Sequence, residues 1–264
     1  MEIYLMRIFA FLLATLFATS VFAKTILISD IDDTIKIAHI NDFMGKIEQA
    51  FDLDMFWGMN TLYNYLNDQV VEDIYYVTNA PDWLMREQHK EFLKAHKFPA
   101  GQIFFRSGSA EIHKMQSIQQ IINESKPKKV ILIGDDAEDD IDIYSKISKN
   151  NSGLKFYTFI KTNYSQKKLK NEQVGFVTPV GILIDLNNKK ELYNSIYTEK
   201  TIDQVVSILE GNSSPMWDDD DQKILLFPAW VNCQKWKPVK SENLSPIFIN
   251  KYNKIISIRC SYLK

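Results

Sequence analysis

The sequence predicts an α/β fold with a parallel central sheet. Short apolar runs alternate with segments whose apolar residues recur at helical spacing. Charged and hydroxyl residues follow these runs, where open α/β sheets bind ligands. The chain has 264 residues, 45% apolar and 24% charged, which is ordinary globular composition.

The elements follow in order. Thr25–Ser29 is a first strand, and residues 54–66 carry Met55, Met59, Leu62 and Leu66 at helical spacing. Residues 73–77 form a second strand, and Pro81 opens a helix that runs to about His96, proline being at home in a first helical turn. Residues 102–105 form a third strand. A helix over 111–124 follows, with Met115, Ile118, Ile121 and Ile122 on its apolar face. Residues 129–133, a helix over 137–149 and a strand over 154–160 complete the alternation. Such βαβ units imply a parallel sheet with right-handed crossovers. Beyond it, residues 176–186 read as strand segments interrupted by Pro179, 201–209 as a helix, and 223–227 and 255–260 as strands. Asp218–Asp221 reads as a solvated acidic loop.

The first 23 residues stand apart. Arg7 precedes an uncharged run over 8–23 that ends Val21-Phe22-Ala23, the pattern of a cleaved signal peptide with Met6 as the better initiator. The run is short for a membrane span. The expected organisation is a signal peptide over 1–23, a catalytic core over 24–165, and an extension over 166–264 packed on that core. Export implies a periplasmic or secreted protein. An oxidising compartment permits a disulfide between Cys233 and Cys260, the two cysteines of the chain. A net charge of −2 gives no reason to expect nucleic acid as a partner.

The most informative segment is Ser29-Asp30-Ile31-Asp32-Asp33-Thr34. If the strand continued, Asp30 and Asp32 would share one face. Two carboxylates held that close repel, and one must be neutralised by a proton or a cation. The arrangement suits a carboxylate nucleophile beside a carboxylic acid, with a divalent metal between them. A turn after a strand, where Asp is common, is the alternative. Against it stands the convergence of Thr78 and Asp135, each ending another strand, on the same sheet edge.

Asp30-x-Asp32-x-Thr34, then Thr78, then Lys114, then Gly134-Asp135-Asp136-Ala137-Glu138-Asp139 resemble the haloacid dehalogenase superfamily of phosphotransferases over about residues 25–160. More closely, Ser29 to Lys36, Gly58-Met59, Val77-Thr78-Asn79-Ala80-Pro81, Arg106, Leu132 to Asp135 and Asp142-Ile143-Tyr144 are similar to the catalytic domain of the actin-patch-associated phosphatidate phosphatases. The chain departs from that family's Ser-Asn-Ser-Pro and Gly-Asp-Ser-Gly segments, with Thr-Asn-Ala-Pro and Gly-Asp-Asp-Ala in their places. The resemblance implies a three-layer Rossmannoid fold with a small α/β C-terminal extension, and a Mg²⁺-dependent phosphatase acting on phosphatidate.

The resemblance also implies roles. Asp30 attacks phosphorus, and Asp32 serves as general acid and then general base. Thr78 and Lys114 donate to the phosphoryl oxygens, and Thr34, Asn79 and Arg106 contact the substrate. Asp30, Asp32 through its carbonyl, Asp135 and Asp139 hold Mg²⁺, with Asp136 a further candidate; the alternative for Asp136 or Asp139 is to orient Lys114, and Asp140 is expected to face solvent. Alternatives stand beside these roles. Thr78 caps a helix, Lys114 is a solvated lysine, Arg106 pairs with a surface acid, and Phe51, Phe56 and Trp57 pack in the core rather than cover the site. The substrate is phosphatidate or a related lipid phosphate, reached by peripheral membrane contact, or else a small soluble phosphomonoester. A catalytically inactive binding domain is a third reading, disfavoured by the intact motif residues.

Overall fold

The computed structural model describes residues 24–38, 53–163, 167–192, 195–211 and 237–262. The expected signal peptide, Phe51, the acidic run at 218–221, the strand at 223–227 and Cys233 of the expected disulfide lie outside these residues.

Six parallel strands form one sheet. They are β1 (Thr25–Ser29), β2 (Asp73–Pro81), β3 (Gln102–Arg106), β4 (Lys129–Asp135), β5 (Lys155–Lys161) and β6 (Gln173–Phe176), in the order β3-β2-β1-β4-β5-β6. The helices are α1 (Met59–Gln69), α2 (Asp82–Ala95), α3 (Ala110–Ser125), α4 (Asp140–Asn150), α5 (Pro179–Asn188), α6 (Ser195–Gly211) and α7 (Pro246–Tyr262). The α/β fold with a parallel central sheet is thus as the sequence predicted. Among the described residues no helix is long and apolar enough to cross a membrane.

Both faces of the sheet are covered, so its central strands are apolar without interruption. Leu27, Ile131 and Phe159 point into one cluster, with Leu62 and Leu66 of α1, Phe92 of α2 and Leu183 of α5. Their neighbours Ile28, Leu132 and Ile160 point into the other, with Ile118 of α3 and Ile147 of α4.

The C-terminal part corrects two expectations. Pro179 does not interrupt a strand; it stands in the first turn of α5, where its missing N–H costs nothing. Residues 255–260 are not a strand but part of α7. Ile249, Tyr252 and Ile256 lie on one helical face and are buried against the sheet's core, so packing overrides the β-branched propensity. Hydrogen bonds between Tyr65 and Thr198 and between Thr178 and Tyr252, each 2.6 Å, tie these helices together and to α1. The extension also contributes β6 to the sheet edge.

Candidate active site

The chain leaves β1 at Asp30 and turns at once. The N–H groups of Thr34, Ile35 and Lys36 all donate to Ile31 O, and Asp33 takes a left-handed φ of 55°. Asp tolerates that conformation better than most side chains. The strand therefore does not continue through Asp32 as the simple alternation assumed. Asp30 and Asp32 nonetheless line the same cleft, a cavity of about 300 Å³ that also takes in Thr78, Asn79, Leu84, Arg106 and Glu138.

Asp30 lies at the base of a buried acidic cluster. Carboxylate oxygens of Asp30, Asp135 and Asp140 all fall within 4.8 Å of one another. Thr34 Oγ1 lies 3.1 Å from Asp30 Oδ2 and 3.0 Å from Asp135 Oδ2. Lys114 Nζ donates to Asp30 Oδ1 at 2.9 Å and to Asp140 Oδ1 at 2.5 Å. Three carboxylates thus face one ammonium. Burial, reinforced by the charges of Asp140 and Asp32 and opposed by Lys114, pushes Asp30 up to about 7. Burial and the charges of Asp30 and Asp140 likewise hold the Asp135 carboxyl well above its usual range. Lys114 is raised as well: burial disfavours its charge, but Asp140 and Asp30 more than compensate. Such a surplus of hard oxygen donors fits a divalent cation, which would neutralise the excess charge.

Asp140 corrects the sequence reading. It was expected to face solvent, yet it is 1% exposed and joins Lys114 to the cluster. Asp139, expected among the ligands, has a side chain 61% exposed and pairs with Lys167 at 3.4 Å instead. The segment between Asp135 and Asp139 is bent rather than helical, and α4 starts only at Asp140. Gly134 makes room for this: a Cβ there would lie 2.2 Å from Asp140 Oδ2. Asp136 is buried and accepts the Asn163 N–H at 2.8 Å, which braces the neighbouring loop.

Asp32 has different company. His89 Nε2 lies 3.0 Å from Asp32 Oδ2, and Thr78 Oγ1 donates to the same oxygen at 3.2 Å. Burial alone would raise the Asp32 carboxyl, but the charge and hydrogen bond of His89, with Lys36 and Thr78, hold it below the usual carboxylate range. Two carboxyls two residues apart are thus driven in opposite directions in the metal-free site. Thr78 Oγ1 also accepts the Ala80 N–H at 3.0 Å, so it both serves the local turn and touches Asp32. A shift of register between Val77 and Pro81 marks where β2 bends at Thr78 and Asn79.

The remaining sequence-predicted residues divide. Asn79 donates to Glu138 Oε2 at 2.9 Å and lines the cleft with Arg106. Phe56 and Trp57 pack in or against the core, and Lys161 Nζ sits 3.9 Å over the Phe56 ring. Sequence reasoning missed His89. Its signal was a histidine within the apolar stripe Met85, Phe92 and Leu93 of α2, all buried.

An aspartate that ends the central strand, held by a buried lysine and followed two positions on by a second carboxyl, marks a phosphatase domain of the haloacid dehalogenase type. The family described as "Phosphatidate phosphatase APP1, catalytic domain" matches residues 25–162, and the chain belongs to it. Phosphatidate phosphatase APP1 of Saccharomyces cerevisiae (strain ATCC 204508 / S288c) is 33% identical over 134 residues, a match covering 45% of this chain and 22% of that protein. Among solved structures, a class C acid phosphatase from Bacillus anthracis with tungstate bound aligns over 78% of this chain and 86% of its own, at 15% identity and a TM-score of 0.37.

Proposed function

We propose that this domain is a Mg²⁺-dependent phosphomonoester hydrolase that works through an aspartyl-phosphate and takes phosphatidate or a related lipid phosphate. The carrying observation is Asp30, 4% exposed, at the base of the cleft with Lys114 at 2.9 Å. Asp30 attacks phosphorus while the ester P–O bond breaks, and Asp32, whose protonated form the negative charge of the bound phosphate favours, delivers that proton to the departing oxygen. Asp32 then takes a proton from the water that attacks the aspartyl-phosphate, releasing phosphate and restoring Asp30. Lys114 and the Thr78 hydroxyl offer donors where charge gathers on the phosphoryl oxygens. Asp30, Asp135 and Asp140, with the Asp32 carbonyl, would hold Mg²⁺, which when bound offsets repulsion between Asp30 and the phosphate dianion.

The lipid assignment has its own support. Leu84 lines the cleft and is 40% exposed, and its neighbour Trp83 is 85% exposed in the first turn of α2. Ile112, in the first turn of α3, is 47% exposed. Exposed apolar side chains in the first turns of these helices, with Leu84 in the cleft itself, suit acyl chains and peripheral contact with a lipid surface. Export to the periplasm or medium is proposed from residues 1–23 of the sequence alone.

Phosphate release from phosphatidate, glycerol phosphate, nucleotides and sugar phosphates, each with and without EDTA, tests the proposal. Metal-dependent release that favours phosphatidate supports it. Preference for soluble esters would move the assignment to a soluble-substrate phosphatase.

A further inference from the structure

We propose that His89 is a positioning residue that fixes the Asp32 carboxyl for proton transfer to the leaving group. This rests on the acid role given to Asp32 above. His89 is fully buried on α2, 57 residues from Asp32 in the chain. Its Nδ1 lies 2.9 Å from Met85 O, one helical turn back. A carbonyl only accepts, so Nδ1 carries a proton, and Nε2 is the atom left for Asp32. The ring also packs edge-on against Phe105, with centroids 5.8 Å apart and planes at 80°. Its orientation is therefore set by the helix and the core, independently of Asp32.

This geometry has a consequence for catalysis. An aspartate just beyond a tight turn has two rotatable side-chain bonds. His89 Nε2 and Thr78 Oγ1 both meet Oδ2, at 3.0 Å and 3.2 Å, and so fix both torsions. Oδ1 is left outside these two contacts, on a side chain that lines the cleft. Thr78 is tied to its own turn through Ala80 N–H, so its hold on Asp32 is shared. His89 has no such competing duty at Nε2. Misplacing an acid by about 1 Å can cost about 100-fold in rate.

The role predicts dependence on the leaving group, which a purely structural histidine would not produce. An alkyl phosphomonoester must have its departing oxygen protonated; p-nitrophenyl phosphate leaves as a stable phenolate without help. The test compares kcat/KM, which reports the steps through P–O cleavage, for p-nitrophenyl phosphate and for short-chain phosphatidate or glycerol phosphate. His89→Phe keeps a ring against Phe105 but offers Asp32 nothing. It is expected to lose at least about tenfold more on the alkyl ester than on p-nitrophenyl phosphate. His89→Gln, which returns an amide able to hydrogen-bond Asp32, is expected to recover most of that difference. His89→Leu makes the same comparison should His89→Phe not fold. Equal losses on both substrates, or none, would overturn the proposal. Failure of the phosphatase reading looks different: the wild type would hydrolyse neither ester, or Asp30→Asn would retain activity.

Discussion

Lys114 Nζ lies 2.5 Å from Asp140 Oδ1, and both side chains are 2% exposed. This ion pair joins α3 to α4 beneath the end of β4. It also sets the charge balance of the site, because Asp30 at 2.9 Å shares the same ammonium. Removing one partner of a buried pair leaves the others uncompensated.

Lys114→Met should therefore damage stability as well as activity. We expect a loss of about 3–5 kcal/mol in the metal-free protein at neutral pH, measured by urea unfolding. Added Mg²⁺ should restore part of it. A variant as stable as the wild type would mean that Lys114 does not compensate a buried negative charge in this cluster.

The two neighbouring acids at the start of α4 should behave unlike each other. Asp140→Asn is expected to lower metal affinity or kcat/KM by about 10- to 100-fold, through loss of the Lys114 contact and a cluster oxygen. Asp139→Asn, which gives up only an exposed pair with Lys167, should stay within about twofold of wild type. Isothermal titration with Mg²⁺ and steady-state kinetics on both variants check this. The reverse pattern would return the metal role to Asp139.

The exchanged positions of Asp139 and Asp140 show where sequence ceased to inform. The alternation of strands and helices, and the clustering of Asp30, Thr78 and Asp135 at one sheet edge, were legible because period and topology fix them. Asp139 looked right by helical arithmetic, one turn after Asp135. The arithmetic fails because residues 136–139 are bent and α4 begins at Asp140. The close approach of Asp140 also depends on Gly134, whose lack of a Cβ carries no sequence label for its cause. His89 was hidden for another reason. A histidine among Met85, Phe92 and Leu93 reads as core, and only the folded chain brings it to Asp32. In α7 the β-branched run from Ile255 suggested a strand, while the buried face formed by Ile249, Tyr252 and Ile256 required a helix.

Metal binding should weaken in acid. The Asp30 carboxyl rises from 3.8 to about 7 in the metal-free fold, so the native state binds its proton more tightly than the unfolded chain does. Its contribution to stability is then full below the unfolded value and lost as pH rises toward about 7. A cation must displace that proton. The rise in Tm on adding Mg²⁺ should accordingly be larger at about pH 8 than at about pH 5. Equal shifts at both pH values would show that Asp30 does not carry the proton a metal replaces.

Lipid preference should depend on the exposed rim. Long-chain phosphatidate in micelles should exceed glycerol phosphate in kcat/KM by well over tenfold, about 1.4 kcal/mol or more. Trp83→Ala, at a side chain that is 85% exposed, should lower the value for phosphatidate several-fold and leave glycerol phosphate unchanged. Equal effects on the two substrates would remove Trp83 from lipid contact.

Whether Asp30 becomes phosphorylated is decided by trapping. Asp32→Asn removes the general base needed to hydrolyse an aspartyl-phosphate but leaves Asp30 and its contact with Lys114 in place. Mixing this variant with Mg²⁺ and p-nitrophenyl phosphate, quenching in acid and mapping peptides by mass spectrometry should find one phosphate on Asp30 and a matching burst of nitrophenol. No phosphopeptide despite a burst, or a phosphate mapped to any other residue, would remove Asp30 as the nucleophile.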